Sequence, residues 1–306
     1  MPALAQTMYE KFFGFDEKPF SLLPDPAFLY LSEKHRMGLT MLEYGLENQA
    51  GFTVVTGEIG SGKTTLLRKL LQTDDPEVSV GLVTNTQCAN SAELLRWIAF
   101  ALDLDYEGRS QVALYHALTD FVITEYAAGR RVVLVVDEAQ QLGIELLEQV
   151  RMISNINADK HQVIQFILVG QPSLRDLLRR PELRQFAQRI VVDYHLDALS
   201  AEEAVDYIRH RLRVAGGDPD LFDSEACRLI ASSSRGVPRL INVLCDTALV
   251  YAFSEQRSCI DSSIVRDVLA DKDRSLAPVQ KEPAHSIAPA LTADNPSNMI
   301  EKLFGN

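Results

Sequence analysis

The stretch Gly57-Glu58-Ile59-Gly60-Ser61-Gly62-Lys63-Thr64, with Thr65 after it, puts three glycines, a lysine and three hydroxyls where phosphate chemistry wants them. Glycine lets the backbone curl until successive amide N–H groups point inward at oxygen atoms. A helix opening directly afterwards adds the partial positive charge of its N-terminus. Gly57, Glu58, Ile59, Gly60, Ser61, Gly62, Lys63, Thr64 and Thr65 are therefore the expected phosphate-binding residues. Lys63 is expected to meet the β- and γ-phosphates of ATP, and Thr64 to ligate Mg2+.

A second group of residues could use what the loop holds. Val132-Val133-Leu134-Val135-Val136 reads as a buried strand that delivers Asp137 and Glu138 to its C-terminal end. Ligands bind at that end in open α/β sheets. Asp137 is the expected second Mg2+ ligand, acting through water, and Glu138 the group that polarises an attacking water. Gln171 ends a further apolar run, Ile167 to Gly170. It either reads the γ-phosphate from between the carboxylates or simply caps a loop. Arg189, with Arg184 in reserve, precedes the last strand and suits an arginine finger reaching a neighbour's γ-phosphate. Arg239 follows Pro238, and proline at a first helical position fixes the helix start. Arg239 can then reach back towards the same phosphate.

These residues need a scaffold. Strand-like runs at Phe52 to Thr56, Ser79 to Thr84, Arg131 to Val136, Val163 to Val169 and Ile190 to Tyr194 lack polar alternation. Strands of that kind are buried on both faces. Helical patterns between them, at Lys63 to Leu71, Ala92 to Leu102, Val112 to Tyr126 and Ile144 to Ser154, supply crossovers. The expectation is an α/β fold, a mostly parallel sheet with helices on both faces. After Leu196 the strand pattern stops. Ser200 and Glu203 have capping-box spacing, Gly216-Gly217 ends the helix they start, and further helical patterns follow at Ser224 to Ser232, Pro238 to Phe253 and Ser262 to Leu269. The expected division is an N-terminal segment (1–32), an ATPase core (33–196), a small all-helical lid (197–273) and a tail (274–306). Proline punctuates the tail, whose Met299, Ile300, Leu303 and Phe304 recur at helical spacing.

Composition sets outer limits. The 306 residues are 46% hydrophobic and 24% charged, as in a globular protein. No apolar run approaches the roughly 18 to 20 residues of a membrane span, and the first residues do not read as a signal peptide. A cytoplasmic location is expected, peripheral to a membrane at most. The four cysteines form no CxxC pair and the six histidines no HExxH, which argues against a zinc site and favours ordinary buried thiols. A net charge of −12 disfavours nucleic acid as the main partner unless basic residues cluster.

Taken together and in this order, the motifs resemble the AAA+ P-loop ATPases over residues 8–270. More narrowly, the chain resembles the general secretion pathway protein A (ExeA-like) group. Phe12-Phe13-Gly14-Phe15, Lys18-Pro19-Phe20, Pro24 to Ser32, Gly51 to Glu58, Val136-Asp137-Glu138-Ala139-Gln140, Leu168-Val169-Gly170-Gln171-Pro172 and Gly236 to Asn242 carry that likeness. The resemblance implies an ATP-dependent oligomer that acts on protein components of a bacterial envelope secretion, pilus or exopolysaccharide export system. It also implies that the N-terminal segment covers the adenine, with Phe13 or Phe28-Leu29-Tyr30 nearby. Secretion-type members carry a transmembrane helix and a peptidoglycan-binding module after the ATPase, and a proline-punctuated tail stands there in this sequence. Two other readings stay open: a DNA-associated ATPase in transposition or loading, and a nucleotide switch that barely hydrolyses ATP.

Overall fold

The computed structural model describes residues 8–23, 25–71, 76–84, 86–158 and 161–276. Helix α1 (Met8–Phe13) is followed by a 3-10 turn at Pro26–Phe28 and by α2 (Glu33–Glu47). The α/β section then runs β1 (Phe52–Gly57), α3 (Lys63–Leu71), β2 (Val78–Val83), α4 (Ser91–Ala101), α5 (Gln111–Ala127) and β3 (Arg131–Val136). It continues through α6 (Gly143–Ile153), a small hairpin of β4 (Asn157–Ala158) and β5 (His161–Gln162), β6 (Ile164–Gly170), α7 (Pro172–Leu178), α8 (Arg184–Ala187) and β7 (Ile190–Leu196). Helices α9 (Ala201–Val214), α10 (Ser224–Ser233), α11 (Pro238–Ser254) and α12 (Ser262–Leu276) complete the described chain.

Five strands form one parallel sheet in the order β2-β3-β6-β1-β7. The apolar runs of β1, β3 and β6 are buried on both faces, as their lack of alternation requires. The edge strands β2 and β7 depart from that expectation and leave Val80, Leu82 and Val191 exposed, because an edge strand is covered less completely. Val132, Leu134 and Val136 pack on one face against α4, α5 and α6 through Leu94, Ile98, Leu114, Leu118 and Leu147. Val133 and Val135 pack on the other against Leu42 of α2 and Leu66 and Leu70 of α3. Each fully buried leucine or valine contributes about 1.5–3 kcal/mol relative to exposure. The order puts β1 between β6 and β7, so the chain leaves β1 for the far edge strand β2 and later passes over β1 on its way from β6 to β7.

Helix α2 breaks the sequence expectation, which left residues 33–47 unassigned. Ser32 caps it, accepting from the His35 amide at 3.3 Å. Two internal glycines, Gly38 and Gly45, weaken the helical signal. Gly45 is there for contact: a Cβ on it would lie 2.3 Å from Thr53 Oγ1 of β1. Helix α12 also runs past Leu269, where the pattern alone placed its end. The sequence reading likewise left out α1, α7, α8 and the hairpin.

The helices after β7 gather around a separate apolar cluster that includes Tyr207, Ile208, Leu212, Ile230, Cys245, Leu249 and Ile264. Tyr9, Phe15, Phe20 and Phe28 belong to the same cluster. The aromatic residues near the N-terminus thus pack with the helical section and not with the sheet. The capping box at α9 is formed, with Glu203 N donating to Ser200 Oγ at 3.1 Å and Ser200 N to Glu203 Oε2 at 2.9 Å. Cys227 and Cys245 are buried thiols, but Cys259 is exposed. No helix among the described residues is long and apolar enough to cross a membrane. Described residues up to Leu269 form one compact unit. From Ala270 on, the described residues are the last turns of α12, where Arg274 pairs with Asp271. The expected tail helix around Met299, Ile300, Leu303 and Phe304 lies outside the described residues.

Candidate nucleotide site

Three adjacent strands, β3, β6 and β1, end side by side. β1 delivers the loop Gly57 to Thr64, β6 delivers Gln171, and β3 delivers Asp137 and Glu138. The loop turns sharply at Gly60 and Gly62, whose φ values are +82° and +102°. A side chain at Gly60 would be strained there, and its Cβ would lie 2.3 Å from Arg239 Cβ. Lys63 is buried. Its ammonium donates to the carbonyls of Gly57 at 2.8 Å and Glu58 at 2.9 Å. Burial lowers the Lys63 pKa, while Glu138, Asp137 and Glu58 work to raise it. Thr64 Oγ1 donates to Asp137 Oδ2 at 3.2 Å, so the two expected metal ligands touch.

Glu138 occupies a left-handed backbone conformation, φ 50° and ψ 39°, two residues past the end of β3. The turn is held from both sides: Glu138 N donates to Asp137 Oδ1 at 2.9 Å, and Thr86 Oγ1 donates to the Glu138 carbonyl at 3.1 Å. The carboxylate accepts at Oε2 from Gln171 Nε2 at 2.9 Å and from Gln140 Nε2 at 2.5 Å.

Arg239 is exposed at the opening of α11, and its backbone N–H donates to Gly60 O at 3.2 Å. Its side chain lines the same cavity as Lys63, Thr64, Thr65 and Glu138. Arg189 lies elsewhere. It precedes β7, whose Ile190 pairs with Phe52 at the start of β1. The loop leaves the other end of β1, about 20 Å away at about 3.3 Å per residue. Arg189 is exposed and donates to Ser154 Oγ at 2.9 Å, in a polar cleft with Gly51, Asn157 and Gln162. Arg184 is exposed on α8, which is anchored by Phe186, whose ring lies tilted against Phe52 with centroids 4.4 Å apart.

Apart from Phe28-Leu29-Tyr30, to which the resemblance pointed, the rest of the cavity wall was not legible as a site. His35 is buried beneath the loop. Its Nε2 lies 3.0 Å from Ser61 O and its Nδ1 2.8 Å from Ser32 Oγ. A carbonyl only accepts, so Nε2 carries the proton and Nδ1 accepts from the serine. The segment before α2 forms a wall through Ser21, Phe28, Leu29 and Tyr30, while Phe13 packs away from the cavity against Phe12 and Phe15. That wall is gripped by α9 and α11. Arg211 donates to Pro19 O at 2.5 Å and Ser21 O at 3.2 Å and lies 4.4 Å from the Phe28 ring centre. Asn242 accepts from Tyr207 Oη at 2.9 Å. The signal for these residues was weak: Ser32 and His35 have N-cap spacing, but nothing local marks Arg211 as more than a surface charge.

A parallel sheet in this order, with a phosphate loop on β1 beside the edge strand β7 and a carboxylate pair two strands away, defines a P-loop NTPase fold of the AAA+ type. The chain carries an AAA domain, and its sequence is similar to general secretion pathway protein A. A family model described as an AAA domain matches residues 46–178. General secretion pathway protein A of Aeromonas hydrophila is 42% identical over 248 residues, 81% of this chain and 45% of that protein. The chain thus spans about half the length of the curated relative it matches. The ATP-dependent target DNA activator B of Escherichia phage Mu is 28% identical over 132 residues, 43% of this chain and 39% of that protein. The solved structure of the Aeropyrum pernix ORC2 protein in its ADPNP-ADP complexes matches with a TM-score of 0.64 and 18% identity, covering 84% of this chain and 72% of that one. At that identity the likeness concerns the fold alone.

Proposed function

We propose that this chain binds ATP with Mg2+ and hydrolyses it, working in an oligomer on protein components of an envelope export machine. The observation that carries the reading is the convergence of Lys63, Thr64, Asp137, Glu138 and Gln171 at the ends of three adjacent strands. The residues suit the ligand: Lys63 holds only backbone carbonyls, and the buried Ser61 Oγ has no hydrogen-bond partner. Lys63 can exchange those carbonyls for phosphate oxygens. Thr64 and Asp137 would hold Mg2+, which neutralises charge on the phosphates. Glu138 takes the proton of a water as that water's oxygen bonds to the γ-phosphorus and the bond to ADP breaks. Gln171 and Arg239 face the same phosphate from β6 and α11. Arg189 acts on the site of a neighbouring copy.

Single-turnover hydrolysis of labelled ATP tests the assignments. Lys63→Ala is expected to lose nucleotide binding. Glu138→Gln is expected to retain binding and lose at least about a hundredfold in rate. Equal phosphate release by both variants and the parent would overturn the ATPase reading. The export partner rests on the likeness to general secretion pathway protein A. A pull-down with Glu138→Gln and ATP should enrich envelope export components. The likeness to the phage Mu activator supports a second reading, in DNA transposition, against which the net charge of −12 argues. Salt-sensitive, ATP-dependent retention of duplex DNA would favour that second reading.

A further inference from the structure

The Gln140 amide occupies a special place beside Glu138. It sits in the 3-10 turn Ala139–Leu142 that follows Glu138. Its Nε2 donates to Glu138 Oε2 at 2.5 Å, and its Oε1 accepts from the backbone N–H of Gln171 at 3.1 Å. Gln171 Nε2 closes the ring by donating to the same Glu138 oxygen at 2.9 Å. One side chain thus ties the end of β3 to the end of β6. The approach is tight enough to constrain its surroundings: a Cβ on Gly170 would lie 2.6 Å from Gln140 Oε1.

We propose that Gln140 is a positioning residue for hydrolysis, fixing the Glu138 carboxylate relative to Gln171; this rests on the reading of Glu138 as the group that activates water. The chemistry of an amide fits the task. It offers one donor to the carboxylate and one acceptor to the backbone, with no charge that would neutralise the base. Glutamate at this position would face Glu138 with a like charge. Methionine would fill the space and make neither hydrogen bond. The left-handed turn at Glu138 leaves the carboxylate dependent on such contacts, because its backbone is pinned while its side-chain torsions are otherwise unrestrained.

The test uses the full chain, with labelled ATP in single turnover, a fluorescent ATP analogue for affinity, and thermal melting. Gln140→Met and Gln140→Glu are expected to slow hydrolysis at least about tenfold, the scale of losing a hydrogen bond to a charged group. Nucleotide affinity should stay within about twofold and the melting midpoint should hold. Adding Gln140→Met to Glu138→Gln should cost nothing more, since a brace has no effect once the braced carboxylate is gone. Parental rates in both single variants would overturn the proposal. So would losses that multiply in the double variant, or that track affinity or melting. If Glu138→Gln itself hydrolyses at the parental rate, the base assignment falls and the brace with it. If only the Gln140 variants do so, the base assignment stands and the brace alone is lost.

Discussion

His35 is enclosed, with Ser32 on one ring nitrogen and the phosphate-loop carbonyl of Ser61 on the other. Burial lowers its pKa and Lys34 adds to that, while the Ser61 carbonyl and Glu203 oppose the shift. The folded chain therefore resists a proton that the unfolded chain accepts below about pH 6.5. Stability from this residue is complete above that value and is lost as pH falls through the lowered folded pKa. His35→Gln keeps a donor for Ser61 and cannot titrate. Urea midpoints measured from pH 7.5 to 5 should fall less steeply in that variant. A residual slope is expected because burial also lowers His210. An unchanged slope would show that His35 does not carry this dependence.

Helix α9 works as a clamp because its residues at helical spacing share a face. Tyr207 and Arg211 meet the segment that walls the cavity, Tyr207 through the Tyr30 ring at 5.9 Å and Arg211 through two carbonyls and the Phe28 ring. Arg211 is a buried cation whose hydrogen bonds go to backbone carbonyls. Arg211→Met keeps apolar bulk and strands those carbonyls, at a cost of about 2 kcal/mol. Urea unfolding should show that loss, and nucleotide affinity should weaken severalfold because the wall loosens. Unchanged affinity with reduced stability would assign the clamp to folding alone.

At the scale of the molecule, the sheet separates two chemistries by the length of β1. The phosphate loop leaves one end and Arg189 stands near the other, so one copy cannot bring both to one nucleotide. If Arg189 serves a neighbour, Arg189→Ala and Glu138→Gln should each be nearly inactive alone. Mixed, they should recover hydrolysis, because an Arg189→Ala subunit keeps its own Glu138 and receives arginine from its Glu138→Gln neighbour. Recovery should rise with protein concentration and appear in steady-state phosphate release. A mixture no more active than the sum of its parts would sink the proposed role of Arg189, and Arg184→Ala in the same scheme tests the reserve.

The local elements were legible in the chain because they depend on contiguous residues. A loop from Gly57 to Thr64 needs its glycines and lysine at fixed spacing, and a strand from Arg131 to Val136 needs only unbroken apolarity. Helix α2 was not legible, because its glycines serve contacts with β1 and α3 that lie far along the chain. The tertiary structure alone decided which strand ends are neighbours. Order β2-β3-β6-β1-β7 sets Gln171 between the loop and Glu138, and it sets Arg189 apart from both. It also gave Gln140, Arg211 and His35 their partners, since a hydrogen bond across the fold leaves no periodic trace in sequence. The phosphate loop is written in eight consecutive residues. The surroundings that could turn it into a catalytic site come from segments far apart along the chain, Asp137 standing 73 residues from Thr64, brought together only by folding.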